Sequence, residues 1–462
     1  MCTANHQETP VPLCTRLADW TVSFDGATLS SLAQTRAEAA FRDVLGCLFA
    51  GAREAAVTAA AAAMAGWQTG QSRQLGSKAG VPSPAAALVN GTAAHVQDYD
   101  DNFFPAITHA SAVLVPALLA LGDETDGSLA ALIEAYVAGL EIQARLGRLA
   151  NPRHYESGWH ATSTLGAIGA AAASAKLLRL DARRTAWAIS LGASFAGGSK
   201  RQFGTSAKPL HAGAAAMHGV LAARLAEAGL DASAEIFEGP WGFLAQHAAE
   251  PLIEALADEP LAIETGGLVA KLYPSCMSSH LGIDGLLTLR RQHRLAPADI
   301  EQVELEMPKY MIDNLRFADP ASPAEARFSM NYCAAVALID GPPVLAHFTA
   351  PAVARADLRR LARRVQMRVR TPDAAAAALP WGGDAIVRLV LRDDQVLETL
   401  SSAPKGSAAN PLTLDEARLK FRDCGLQSLA EADIAALSAL LDRPSGDIKV
   451  RDVTRFFTET RL

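Results

Sequence analysis

The 462-residue chain is half apolar and one-fifth charged, enough for a sizeable core in two or three domains, or in one large domain carrying an insertion. Its net charge of −7 lacks the basic excess of a general nucleic-acid binder. Six cysteines with no C-x-x-C pair argue against a disulfide framework or an iron–sulfur cluster and point to free thiols in a reducing cytoplasm.

The chain starts "MCTANHQETPVPLCTRLADW", with no basic segment leading into an apolar one, so no signal peptide is expected. Helical periodicity then runs from about residue 34 to 268. "TRAEAAFRDVLGCLFAG" sets Ala39, Phe41, Val44, Leu45 and Leu48 near one face and stops at a glycine. "AAVTAAAAAMAG" and "SAVLVPALLALG" fall well short of the roughly 20 residues that cross a bilayer, and they predict buried helices. "SPAAALVNGTAAHV" offers Ser83 as an N-cap before Pro84, and "DARRTAWAISLGASFAGG" starts on a capping Asp181. "HAGAAAMHGVLAARLAEAGL" ends at Gly229. Small residues at this density let helix backbones approach closely, so the pattern predicts a compact bundle whose central helices are apolar all round.

Alternation of period two gathers in one region. "VELEM", "VQMRV" and "AIVRLVLRDDQVLETL" predict strands, the last a pair joined at Asp393–Asp394. Between the first two lies "SPAEARFSMNYCAAVALIDG", a helix with Ser322, Pro323 and Glu325 placed for a capping box. Helical pattern returns at "TLDEARLKF", "LAEADIAALSALL" and "GDIKVRDVTRFF". The predicted fold is mainly α with an α+β insertion. Residues 1–268 and 408–462 form a large all-helical domain, and residues 269–407 a smaller α+β lid. A cleft between them is a natural ligand site.

Five stretches carry candidate chemistry. "DYDDNFFPAITHAS" places Asp98, Asp100 and Asp101 before a Phe pair and His109. The acids could ligate a hard cation or lie in a solvated helix end, but no calcium-loop spacing and no H-E-x-x-H follow. An imidazole that meets a carboxylate across an aromatic turn suits proton transfer near neutral pH. "GWHATSTLG" sets His160 just before a helix start capped by Thr162 or Ser163, which favours a bound carboxylate, although a lone His is more often a satisfied core residue. "FGTSAKPLHAGAAAMHG" puts Lys208 at another helix start, with His211 near; a surface lysine is the plainer reading. "KLYPSCMSSH" holds Lys271, Cys276 and His280, and "ARFSMNYCAAVALIDG" holds Tyr332 and Cys333. Buried inert cysteine is preferred there to a thiol nucleophile.

These stretches, with "NGTAAHVQDYDD", "PAEARFSMNYCAAVALIDG" and "GSAANPLTLDEARLKF", resemble the MmgE/PrpD family over nearly the whole chain. The resemblance implies a helical domain under an α+β lid, a homodimer, and no metal or cofactor. It also implies an enzyme acting on a small di- or tricarboxylate, to which the composition, charge and segment lengths above add a cytoplasmic location and neither nucleic acid nor membrane as a partner. Carried over residue by residue, it assigns Asp98, His109, His160, Lys208 and Tyr332 to catalysis, and Asn102, Lys271, Cys276 and His280 to substrate binding. Asn102 stands where the family's cis-aconitate decarboxylases carry Thr, and Cys276 where they carry a catalytic His. The expected reaction is therefore epimerisation of an iminodisuccinate-like substrate by proton abstraction next to a carboxylate. The alternatives are a 2-methylcitrate dehydratase-like reaction, cis-aconitate decarboxylation, or a carboxylate-binding paralogue without catalysis. Asp98 and His109 would be the working pair, Asp101 would brace the turn, and the Phe pair would limit water.

Overall fold

A computed structural model describes residues 11–247 and 260–460. The first ten residues, part of the start read as lacking a signal peptide, and the 248–259 stretch of the helical run lie outside the described residues. The molecule is a large, mostly helical body with a smaller mixed sheet, in line with the expected α+β lid on a helical core.

Two apolar cores account for this division. One gathers residues from Leu13 to Ile263 and closes with Phe421, Leu437, Val453 and Phe457, so both chain ends share it. Helices Ala110–Glu124 and Ala161–Leu177 run through this core, buried over nearly their whole length. The predicted close approach is most acute where Ser83–Val96 crosses Ala207–Glu227. A Cβ on Gly213 would lie 2.1 Å from the Leu88 carbonyl, and one on Gly91 would lie 2.8 Å from Gly213 Cα. No side chain fits at either position.

The second core spans Tyr273 to Leu397. Its sheet holds β3 (Ile300–Met307), β4 (Val365–Val369), β5 (Ala385–Leu391) and β6 (Val396–Ser401), in the order β4-β3-β5-β6. Strand β3 pairs in parallel with β4 and antiparallel with β5, and β5 pairs antiparallel with β6. Alternation places Val303, Leu305, Met307, Val387 and Leu389 on the buried face, against helices His280–His293 and Met330–Ile339. The opposite face carries the Arg388–Glu306 and Arg388–Glu398 ion pairs. Two short strands, β1 (Asn102–Phe103) and β2 (Leu268–Val269), pair antiparallel and tie the acidic turn to the start of the lid region.

Several local expectations shift. The helix at 83 starts one residue early, with Pro82 at the cap and Ser83 inside. Ala39 is exposed while Ala37 and Ala40 face the core. Ala55–Met64 buries only Val57 and Ala60, because a run of alanines offers little apolar area to drive burial. Helix Ala161–Leu177 is capped by His160, with no side-chain bond from Thr162 or Ser163. The helix expected from Ser322 breaks in two. Ser322 caps Pro323–Ala326, and Ser329 then caps Met330–Ile339 by accepting from the Tyr332 amide. Glu325 returns its carboxylate to the Ala321 amide, so the capping box does not close. Among the described residues no single helix is long and apolar enough to cross a membrane. The bent pair Ser31–Gly51 and Ala55–Met64 reaches that length and composition only together, across an 88° bend.

Candidate active site

The Gly91–Gly213 crossing sets the floor of a cavity. It brings Lys208, in the first turn of its helix, to the turn that follows Val96. There Asp98 takes a left-handed backbone, φ 50°, which aspartate tolerates better than most residues. The ammonium groups of Lys208 and Lys271 each lie 2.9 Å from Asp98 Oδ1, and Lys271 also donates to the Asp98 carbonyl at 2.8 Å. Burial alone would raise the Asp98 pKa, but the two ammonium groups outweigh it and hold the carboxyl well below its usual range. His109 Nε2 is 3.8 Å from Asp98 Oδ1, outside hydrogen-bond reach. Asp98 is therefore a fixed ionic anchor and ill suited to the role of proton acceptor, a correction to the Asp98–His109 working pair.

A different carboxylate orients His109. Asp100 Oδ2 lies 3.1 Å from His109 Nδ1 and 2.9 Å from His95 Nδ1, and the Asp101 carbonyl lies 3.0 Å from His109 Nδ1. Both oxygens only accept, so Nδ1 carries the proton and Nε2 keeps its lone pair. The His95 and His109 rings pack with centroids 4.4 Å apart. Burial pushes His109 down to about 3 and lowers His95 as well. His160, at the N-cap of Ala161–Leu177, is lowered by burial and then by Lys208. Its Nδ1 lies 3.0 Å from His211 Nδ1, where one ring donates and the other accepts. These imidazoles are neutral at physiological pH, and an anion placed among them would favour their protonation.

The cavity, about 290 Å³, lies between this floor and the lid. Of the residues singled out in the sequence, Asp98, Asn102, His109, His160, Lys208 and Cys276 line it. Lys271 and His280 do not. Lys271 is buried behind Asp98, and buried His280 packs against the Tyr273 ring, centroids 5.0 Å apart, with Nε2 3.3 Å from the Ser275 carbonyl. Burial, then Lys271, pushes His280 to about 3. Tyr332 stands apart in the lid core and donates its hydroxyl to the His347 carbonyl at 2.5 Å. Its assignment to catalysis is not supported: the lid helix turns it towards the Leu345–Phe348 turn, with the Phe348 ring 5.8 Å away, and not into the cavity. The Cys276 thiol is raised by burial and then by Asp98, which keeps it protonated. Of the Phe pair, Phe103 belongs to the helical core, and only Phe104 walls the cavity, edge-on to Trp381 at 6.1 Å.

The sequence reading missed the part played by His95 and Asp100. Their spacing at a helix C-terminus was a weak signal, legible only once the Asp98 backbone turn is known. It also missed the braces that hold the floor. Lys420 donates to the Tyr99 carbonyl at 2.7 Å, to the Lys271 carbonyl at 2.8 Å and to Asp43 Oδ2 at 2.9 Å. Arg327, from the lid region, donates to the Gln97 carbonyl at 3.1 Å. Asp101 is fully buried, its carboxylate oxygens without a hydrogen-bond partner among the described residues.

His95, Asp98, Asp100 and His109 each present one ligand atom, and these atoms lie within 4.8 Å of one another, close enough to hold a cation. The surrounding charge opposes one. The two ammonium groups already occupy Asp98 Oδ1 at 2.9 Å and would repel a second positive centre.

A mouse cis-aconitate decarboxylase is 30% identical over 380 residues, 79% of this chain and 76% of that protein. The human cis-aconitate decarboxylase is 29% identical over 354 residues, 74% of this chain and 72% of that protein. A cis-aconitate decarboxylase of Aspergillus terreus is 25% identical over 291 residues, 57% of this chain and 59% of that protein. These names favour the decarboxylases over the epimerase branch to which the motifs were assigned. The family model for the MmgE/PrpD N-terminal domain matches residues 15–255 and that for the C-terminal domain residues 273–443. The chain belongs to the MmgE/PrpD family of enzymes.

Proposed function

We propose that this enzyme decarboxylates cis-aconitate or a close tricarboxylate. The observation that carries the reading is the convergence of His109, His160 and Lys208 on one cavity over an ionised Asp98. The names of the relatives support the choice of substrate.

Lys208 makes one bond to Asp98, so its other two N–H donors are available to a substrate carboxylate. The start of helix Ala161–Leu177, with Thr162 on the cavity wall, offers a second anionic subsite. In the reaction a proton is added to the alkene carbon next to one carboxylate. The alkene electron pair takes that proton, and the bond to the departing carboxylate supplies the pair that forms the new alkene. CO2 leaves, and one proton is consumed. His109 is the proposed donor. The bound polyanion raises its pKa, Asp100 holds its Nδ1, and Nε2 delivers the proton. His160, paired with His211, is the alternative donor. Asn102 and Cys276 would contact the substrate, and Lys271 would act through Asp98. A homodimer, and a division into 1–268 with 408–462 and 269–407, belong to the same proposal.

Proton NMR in deuterated water with cis-aconitate tests it. The expected result is CO2 release with one solvent deuterium in the product. Exchange or racemisation without CO2 would replace this reading with the second one, epimerisation at a carbon next to a carboxylate. That second reading is favoured by Cys276 on the cavity wall where a decarboxylase histidine was expected.

A further inference from the structure

A second cavity of about 240 Å³ adjoins the first, and Phe203 and Asn314 form walls of both. Three cationic side chains line it: Lys200, Arg201 and Arg316. The acid among its lining residues, Asp313, is gripped by Lys309 at 2.7 and 2.8 Å. The pocket is thus positive on a chain whose net charge is −7.

Its groups are arranged to receive an anion. The Lys200 ammonium lies 3.5 Å from the Tyr155 ring centroid and makes a single 3.3 Å bond to the Tyr155 carbonyl, so two donors remain for a ligand. Burial lowers Lys200 to about 8, a cost that a bound carboxylate would relieve. Arg316 donates to the Phe203 carbonyl, tying the shared wall to the cationic pocket. Arg201, Asp313 and Arg316 are exposed, so this cavity is the outer of the two. In the inner one, both lysines near the floor are engaged with Asp98. A polycarboxylate entering from solvent therefore meets these cations before it reaches Lys208.

We propose that the Lys200–Arg201–Arg316 pocket is a carboxylate-binding antechamber that captures an anionic group of the incoming substrate beside Phe203. The inference rests on the polycarboxylate reading above, but not on the fate of the substrate. Charge arranged in this way raises local substrate concentration and association rate, and salt weakens it.

The test uses the full chain and tricarballylate, a saturated tricarboxylate that cannot react. Its Kd is measured by calorimetry at about 0.01 M and about 0.15 M salt, where screening lengths are roughly 30 Å and 8 Å. The double variant Lys200→Met/Arg201→Gln should bind about tenfold more weakly at low salt, a loss of about 1.4 kcal/mol, with the gap narrowing at the higher salt. Lys200→Arg should retain binding. With cis-aconitate the loss should fall on KM rather than kcat. Arg201→Gln alone, at an exposed position, keeps the test alive if the double variant fails to fold. Binding within twofold of wild type for the double variant, a loss equal at both salts, or no binding by wild type would overturn the antechamber. Lys200-dependent binding by a wild type that releases no CO2 would sink the decarboxylase reading and leave the antechamber standing.

Discussion

The two sides of the inner cavity are built differently. The helical floor is ionic and cross-braced: Asp98, Lys208, Lys271 and Lys420 are buried and bonded to one another or to nearby backbone carbonyls, and buried Asp100 holds His95 and His109. The lid side is mostly aromatic and aliphatic, with Tyr310, Met311, Phe328 and Trp381 around a few polar groups such as Ser278 and Asn314. A charge held in a buried network cannot move without leaving a partner unpaired, so the floor fixes geometry. An apolar wall tolerates repacking, so the lid sets shape and excludes water. On the proposed reading, chemistry belongs to the first side and selection to the second.

Substitutions can break or sharpen this contrast. The largest effect is expected from Lys271→Met, which removes one of the two ammonium groups at Asp98 Oδ1. Losing a partner from a buried pair costs about 3 kcal/mol or more, to be seen as a lower urea midpoint. His109→Ala follows, with turnover down at least about a hundredfold and a thermal midpoint close to the parent's. Near-normal turnover with an intact fold would remove His109 from the mechanism.

Asp101→Asn should act on stability through pH. Burial pushes Asp101 up to about 7, above its unfolded value of about 3.9. Its contribution is therefore fully present below that unfolded value and lost as pH rises through 7. The variant should be more stable than the parent at pH 8 by roughly 4 kcal/mol, about three pKa units at about 1.4 kcal/mol each, with the gap closing towards pH 4; urea unfolding across that range checks the sign.

On the lid side, Trp381→Ala should raise KM about tenfold with a smaller change in kcat, since it removes wall area and no reacting group. Tyr332→Phe should be the mildest, within about threefold in kcat/KM and costing roughly 1 kcal/mol of stability for its hydroxyl bond. A hundredfold loss there would return Tyr332 to catalysis.

Much of this was legible in the sequence, for reasons tied to particular residues. The bundle and the four-stranded sheet were readable because periods of 3.6 and 2 persist over whole elements. The β1–β2 pair was not, because two-residue strands leave no period. Asp98, His109, His160 and Lys208 could be gathered from motifs. Which acid serves which imidazole could not: that depends on a single positive φ at Asp98, which turns its carboxylate to the lysines and leaves Asp100 to the histidines. Tyr332 was misplaced because a helix fixes spacing along its axis but not the neighbour its face meets. Lys420 was missed because its three acceptors come from residues 43, 99 and 271, each remote from it in sequence.

That last contact bears on how the enzyme is made. A nascent chain that has emerged only as far as the sheet already contains every cavity-lining side chain named above. The carbonyls of Tyr99 and Lys271 still wait for the ammonium group carried by helix Leu414–Gly425. Synthesis runs from the N-terminus, so the ribosome would finish the cavity walls well before the helix that locks them in place.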